Sequence, residues 1–349
     1  MIYHYLSHIA LAIFNFGVLA FAIVSLLALN LFTFFLYFLD KRRAIRRKWR
    51  IPEKILILAT LSFGGLGAVL GMFCLRHKTR KIKFKIAGFV GVLFFLIPFI
   101  HIVHGLTLDR IVRFVEVPFY SQNWPAALDG YRIAFMADFH VITDEDMAAI
   151  INELNTRDID LLLHGGDFTR HDSHYQNTLA QMAHARTTHG IMGVRGNHDF
   201  RIDLRPAKAQ HGMVLLENEG IEIAPGFFVA GVTDLWYGRP DLNAATQNAG
   251  DNDFVLLISH NPDIGMRYDT DGIDLVLAGH THGGQMTFFG YPIYLHRGSI
   301  TNYGTRFARG FAQYDNGVPV FTTVGVGDYY NLPRIFNRPE VIIFSMHNK

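Results

Sequence analysis

Two histidines one residue apart, His280 and His282, close an apolar run in "AGHTHGGQM" and are wrapped in glycine. Alone, such a pair is a surface turn as readily as a metal site. The same kind of ending recurs along the chain: "DFH" at 138–140, "GGD" at 165–167, "GNHD" at 196–199, "SHNP" at 259–262 and "GHTH" at 279–282. Asp, Asn and His thus gather at the C-terminal ends of successive apolar runs, which chance does not explain. Carboxylate, imidazole and amide oxygen together suit borderline or hard divalent ions (Mn, Fe, Zn or Co) rather than Cu(I) or iron–sulfur clusters. Asp138, His140, Asp167, Asn197, His260, His280 and His282 outnumber the roughly four to six ligands of one ion. Two divalent ions sharing a bridging carboxylate, about 3.5–4 Å apart, are the economical arrangement. Cys74 is the only cysteine, which excludes disulfides and thiolate zinc sites.

The elements that carry these endings read as a soluble α/β domain. "YRIAFMADFH", "IDLLLHGGD", "GIMGVRGNHD", "FFVAGVTD", "DFVLLISHNPD" and "IDLVLAGHTH" are strand-like runs that stop at polar clusters. Between the first two, "DEDMAAIINELNTR" has acidic residues first and apolar spacing near 3.6, which predicts a helix. A second helical stretch is expected up to about Arg186. Continuous apolar runs imply strands buried on both faces, and in such sheets sites form where strand C-termini open into loops. "VPVFTTVGVG" and "PEVIIFSM" follow as strands without an intervening helix, so a two-layer sheet core is expected rather than a simple doubly wound sheet. The domain is placed at 131–349, with a linker leading into it over 108–130 and a membrane region over 1–107.

The order D-x-H, GD, GNH-D, H, GHxH resembles that of the calcineurin-like metallophosphoesterase superfamily across this domain. The resemblance implies a four-layer αββα sandwich, here preceded by an α-helical transmembrane region. It implies one ion on Asp138, His140 and His282, a second on Asn197, His260 and His280, and Asp167 as the bridge. The implied activity is a metal-dependent phosphoric ester hydrolase of phosphodiesterase or pyrophosphatase type, in which a metal-bound hydroxide attacks phosphorus. His198 would face the substrate and donate a proton to the leaving oxygen, or stabilise the phosphoryl charge. Asp199 is a candidate carboxylate partner that keeps His198 protonated, or a cap of the turn. Gly196 and Gly279 would let the backbone pass close to the ions, and Gly283 and Gly284 would turn the chain away after His282. "ADFH" departs from the SD-L-H more usual in the branch, and "GGDFTR" puts Arg170 where many relatives carry Asp or His. Arg170 is a candidate phosphate contact or a solvated side chain.

The first third belongs in a membrane. No charged residue occurs from Ile9 to Leu39, and further apolar segments run over Ile55–Leu75 and Ile86–Val103. About 20 apolar residues cross a bilayer as a helix, and the basic n-region of a cleaved signal is missing. Lys41 to Lys54 and Arg76 to Lys85 are basic segments on either side of the middle run. If that run spans, the larger basic cluster stays inside and the catalytic domain is cytoplasmic. If "FGGLGAVLG" makes a re-entrant hairpin, both basic segments stay inside and the domain faces out. Length favours spanning and charge favours re-entry; spanning is the expectation. The stretch from "DKRRAIRRKWRIPEK" to "RHKTRKIKF" resembles a small bacterial membrane family of unknown function, over about residues 30–100. Its basic boxes are expected to meet anionic headgroups, so membrane lipids are partners. A net charge of only +2 gives no ground for nucleic-acid binding. The location expected is the bacterial inner membrane, with several passes.

"GHTHGGQ", "SHNPD" and "RPEVIIFSM" most resemble a membrane-associated bacterial branch. That branch includes a UDP-2,3-diacylglucosamine hydrolase of lipid A synthesis and several general phosphodiesterases. The aromatic stretches "MTFFGYPIYL" and "GVGDYYNLPRIF" read as an acyl-facing groove, as a rim resting on the membrane, or as plain sheet core. Two substrate classes follow: a phospholipid-like or UDP-2,3-diacylglucosamine ester met at the membrane, or a soluble phosphodiester met by an enzyme that is merely tethered.

Overall fold

The computed structural model describes residues 2–140, 142–169, 175–205, 210–292, 300–328 and 333–349. The chain divides into two units, Met1–Leu108 and Asp109–Lys349.

The first unit is helical: α1 (Ile2–Ile45), α2 (Glu53–Leu61), α3 (Gly65–Cys74) and α4 (Ile82–Leu106). Two stretches, Ala20–Ile45 and Ile82–Arg110, are long and apolar enough to cross a membrane, with mean hydropathies of 2.2 and 2.5. The middle apolar segment, expected to span as one helix, is instead broken into α2 and α3. Phe63 at the break has a left-handed backbone (φ +64°), and Gly64 and Gly65 follow it. A side chain at Gly65 would place its Cβ 1.9 Å from the carbonyl carbon of Gly91 in α4. The same glycines that end the helix therefore admit the neighbouring backbone.

The second unit begins with β1 (Arg113–Ser121), β2 (Tyr131–Met136), α5 (Asp144–Leu154), β3 (Leu161–His164), α6 (Tyr175–Met182), β4 (Ile191–Gly193) and β5 (Met213–Leu215). Then come β6 (Glu219–Ala224), β7 (Phe227–Gly231), α7 (Leu242–Thr246), β8 (Phe254–Ile258) and β9 (Leu275–Ala278). The remaining strands are β10 (Thr287–Phe288), β11 (Tyr291–Pro292), β12 (Gly310–Gln313), β13 (Pro319–Thr322) and β14 (Glu340–Asn348). Two six-stranded sheets result, β1-β14-β2-β3-β4-β5 and β12-β13-β9-β8-β7-β6, beside the small β10-β11 pair. In the first sheet β2 to β5 are parallel, and β14 enters antiparallel to β2 and parallel to β1. In the second, β13, β9, β8 and β7 are parallel and the outer strands are antiparallel.

Alternation along β2 shows how the sheets are covered. Ile133 and Phe135 point into a cluster with Val229, Leu256 and Leu277 of the second sheet, while Ala134 and Met136 meet Met147, Ile150 and Leu154 of α5. A period of two puts alternate residues on opposite faces, so each strand must be apolar throughout. On the far face of the second sheet, Phe228 and Val255 pack with Leu242 and Ala245 of α7. Thr143 caps α5 by accepting from Asp146 N, and acidic residues fill its first turn.

The segment just before Val117 is structural. Asp109 is buried, and its carboxylate accepts from Phe336 N (2.7 Å) and Asn337 N (2.9 Å). Arg113 to Glu116 form the first half of β1 against Glu340 to Ile343. A fragment starting at Asp109 should therefore fold, whereas one starting at Val117 should melt at least ~5 °C lower, because two charge-assisted bonds and half a ladder are lost. Equal melting temperatures of the two fragments by circular dichroism would refute this.

Candidate metal centre

Every metal-ligand candidate stands within four residues after a parallel strand: Asp138 and His140 after β2, Asp167 after β3, Asn197 after β4, His260 after β8, and His280 and His282 after β9. The strand ends of both sheets thus point their loops at one place. The turn inward is sharp. Asp138, His140, Asp167, His280 and His282 all have positive φ, at 57°, 36°, 58°, 71° and 50°. Such conformations cost a non-glycine residue on the order of 1 kcal/mol or more and persist where surrounding structure dictates them. Here the loops hold one another: Asp138 N donates to Gly166 O (3.0 Å), Phe139 N to Asp167 O (2.8 Å) and Gly279 N to His260 O (3.0 Å). Glycine is required where they touch. A Cβ on Gly196 would lie 2.2 Å from Asp167 Oδ1, and one on Gly279 would lie 2.7 Å from Asp138 Oδ2. Gly283 and Gly284 adopt φ +56° and +83° and turn the chain away after His282.

The donor atoms fall into two adjoining sets. In the first, His140 Nε2 lies 2.8 Å from His282 Nε2, and His282 Nε2 lies 3.5 Å from Asp138 Oδ1. In the second, Asn197 Oδ1 lies 3.0 Å from His260 Nε2 and 2.9 Å from His280 Nδ1. Asp167 Oδ2 stands between them, 3.4 Å from His140 Nε2 and 3.3 Å from His260 Nε2. Asp138, His140, Asp167, His260, His280 and His282 are buried, and Asn197 is half-buried.

The outward-facing nitrogens of the second set are committed to the backbone. His260 Nδ1 bonds to Gly165 O (2.8 Å) and His280 Nε2 to Ile300 O (3.0 Å). A carbonyl only accepts, so each imidazole carries its proton on that side and turns its other nitrogen toward Asn197. Such backbone anchoring is the usual support of a histidine that ligates metal. Three acceptors then converge with a carboxylate beside them, a donor set that fits a divalent cation. Titration says the same. Burial opposes charge on His260, but the carboxylate of Asp167 outweighs it and pushes the imidazole up to about 10. Burial raises Asp138 to about 7 and depresses His280 to about 3. Without metal, a proton on His260 sits where a cation would.

His198 is half-buried, with its ring 4.9 Å from that of His140 and its backbone N donating to Asp167 Oδ1 (2.8 Å). Asp199 is fully buried, and its oxygens accept from Gly196 N (2.9 Å), Phe168 N (3.2 Å) and Thr169 N (3.4 Å). That is the turn-capping alternative: Asp199 ties the Asn197 loop to the Asp167 loop. Arg170 lies outside the described residues.

Four supporting residues escaped the reading of the sequence. His164 is buried between the rings of Phe139 and Phe168 (centroids 4.3 and 3.7 Å) and accepts from Gly166 N (3.1 Å), shaping the turn before Asp167. Asn337 donates to His282 O (2.5 Å). Asp234, at the end of "GVTD", accepts from Trp236 N and Tyr237 N (2.9 and 2.8 Å), and Trp236 packs edge-on against His280 (4.4 Å). "GVTD" was legible as a further polar strand ending; His164 and Asn337 carried no signal of spacing. Trp236, Met286 and Ile300 wall a cavity of about 270 Å³ that opens onto Asp167, Asn197, His198 and His280.

Comparison with known families agrees with this geometry. Residues 131–284 match the calcineurin-like phosphoesterase family, and residues 30–84 match DUF1294, a family described as of unknown function. An uncharacterized metallophosphoesterase of Helicobacter pylori is 24% identical over 305 residues, 83% of this chain and 78% of its own. Another, Cj0846 of Campylobacter jejuni, is 22% identical over 327 residues, 90% of this chain and 84% of its own. The phosphodiesterase YaeI of Escherichia coli is 28% identical over 235 residues, 62% of this chain and 82% of its own. The chain thus carries a calcineurin-like metallophosphoesterase domain, joined to a DUF1294 region, and is a metal-dependent phosphoester hydrolase.

The proton on His260 yields a measurable consequence, because ligands bind metal only once deprotonated. Affinity for Mn²⁺ or Zn²⁺ should rise about tenfold per pH unit between pH 7 and 9, and more steeply below pH 7, where Asp138 also holds a proton. Calorimetry in buffers of different ionisation enthalpy should count the released protons. A pH-independent affinity would exclude this assignment.

Proposed function

We propose that this hydrolase holds two divalent ions (Mn, Fe, Zn or Co), one on Asp138, His140 and His282 and one on Asn197, His260 and His280. Asp167 lies between them as the shared ligand. The observation that carries the reading is the position of Asp167 Oδ2, within 3.4 Å of a nitrogen from each set. When bound, such ions neutralise phosphoryl oxygens and supply a nucleophile from water at neutral pH. The residues of the chain do the rest. Asn197 and the two anchored imidazoles would hold one ion in place, and His198, at the cavity wall, hands a proton to the leaving oxygen. Asp199 keeps His198 in place by bracing the main chain on either side of the site. The covered faces of the two sheets support an αββα layering, with α5 and α6 outside one sheet and α7 outside the other.

The apolar cavity beside His198 supports a phosphoester whose non-phosphate part is apolar, such as a phospholipid-like diester. Exposed Phe21, Leu31, Phe32, Leu58, Phe73 and Phe89 support immersion of the helical unit in the bacterial inner membrane. A lipid ester confined to that bilayer meets an anchored enzyme at raised effective concentration.

Chelator-treated protein should be inactive on an aryl phosphodiester and regain activity with added divalent metal. His198→Ala should lower kcat about 10²–10⁴-fold with metal content unchanged, because only a proton donor is lost. Asp167→Asn should lose metal, as elemental analysis would show. Equal metal loss in both variants would overturn the division of roles.

Trp236→Ala should raise KM for a long-chain phosphodiester about tenfold, some 1.4 kcal/mol, yet change the aryl ester less. Equal effects on both substrates would favour a tethered hydrolase of soluble esters.

A further inference from the structure

We infer that the middle apolar segment is a re-entrant hairpin entering from the cytoplasmic side, so that the phosphoesterase unit faces away from the cytoplasm. The inference rests on the membrane immersion proposed above and goes beyond it to the side on which the substrate is met. Contacts along α1 act as a depth scale. Asp40 accepts from Ile51 N (3.0 Å) and Arg50 (3.1 Å), just before α2, and pairs with His77 (2.8 Å), just after α3. Glu53, which opens α2, meets Lys78, Lys81 and Lys83 beyond α3 at 2.5–2.7 Å. The segment therefore starts and finishes at one level. Its tip lies elsewhere: Asn30 donates to Phe63 O (2.9 Å) and accepts from Gly67 N (2.9 Å). Asp40 lies ten positions after Asn30 on α1, a rise of about 15 Å, against a hydrocarbon core of about 30 Å. The hairpin reaches half-way and returns.

Two further features fit a tip inside lipid. A break in a helix frees N–H and C=O groups that no water satisfies there, so irregular backbone at that depth needs a protein partner. Asn30, buried in an uncharged stretch of α1, is such a partner, and Thr33 one turn on donates to Ala59 O. The tip is also enclosed. A Cβ on Gly67 would lie 1.9 Å from Asn30 O, and one on Gly91 would lie 2.4 Å from Thr60 O, so α1, the hairpin and α4 are in backbone contact.

Charge then assigns the side. Within residues 1–108 every Lys and Arg falls in 41–54 or 76–85, the two segments that Asp40 and Glu53 bring to one end. Positive segments stay in the cytoplasm, and here both can. α4 leaves that end at Phe84, against Tyr37, passes the tip at Gly91 and continues along Leu26 at Phe95 and Ile102. Its last turn is on the opposite side, and the catalytic unit follows it. The substrate class is then a phosphoester exposed at the extracytoplasmic face, which removes cytosolic UDP-linked sugars from consideration.

The test uses the full chain in a Cys74→Ser background, with a single exposed cysteine introduced by Arg46→Cys or Ala127→Cys. Spheroplasts are treated with an impermeant maleimide before or after lysis. Ala127→Cys should label at least tenfold more than Arg46→Cys in intact spheroplasts, and both should label equally after lysis. Protection of Ala127→Cys before lysis, or labelling of Arg46→Cys, would overturn the assignment. Release of the protein by alkaline extraction would show instead that the immersion reading itself has failed. Because labelling needs no turnover, neither result depends on the phosphoesterase site being active.

Discussion

The structure of the catalytic unit turns on one buried carboxylate. Asp167 is almost fully buried, and His140, His260 and the backbone of His198 all reach its two oxygens. A lone charge so placed is very costly unless it is paired and hydrogen-bonded. His140, His260 and the N–H of His198 supply that pairing, against the neighbouring carboxylate of Asp138. Gly196 is small because a Cβ there would occupy the space of Asp167 Oδ1. Asp199 takes up the N–H groups of Phe168, Thr169 and Gly196, leaving the Asp167 loop no freedom to relax. The left-handed backbone at five of the candidate ligand positions is held by loops bonded to each other.

The helical unit answers the same requirement with opposite chemistry. In the catalytic unit, polar side chains are buried to hold charge; in the helical unit, Asn30 is buried to satisfy a broken backbone. Both solutions depend on glycine at the point of closest approach. Gly67 against Asn30 and Gly196 against Asp167 are equivalent in this sense: each admits a partner that any side chain would expel.

Much of this was legible in the sequence, for reasons that also mark where it stopped. The strand endings at Asp138, Asp167, Asn197, His260 and His282 were visible because a fully buried strand is continuously apolar and its polar terminus stands out. The residues supporting them were not visible. Asn337 reaches His282 from a loop 55 residues away, and no local pattern encodes such a bond. Asp109 was read as linker, since burial of one carboxylate against a distant loop leaves no periodic trace. In the helical unit, length pointed to one spanning helix, and the glycines pointed to a break. The contacts of Asn30 and Asp40 decide for the break, because they tie both ends of the segment to one level of α1.

The cavity and the donor sets are not separable features. Trp236 is a wall of the cavity and also packs edge-on against His280, and Asp234 fixes the turn that presents it. His280 in turn donates from one nitrogen to Ile300 O, and Ile300 also lines the cavity. Trp236 and Ile300 thus line the cavity and also contact one imidazole. A chain that changed Trp236 would remove the edge-on packing of His280, one of the two imidazoles facing Asn197, but leave its bond to Ile300 O. Under the function proposed above, the Trp236–His280 contact (4.4 Å) would couple filling of the cavity to the order of the donor set.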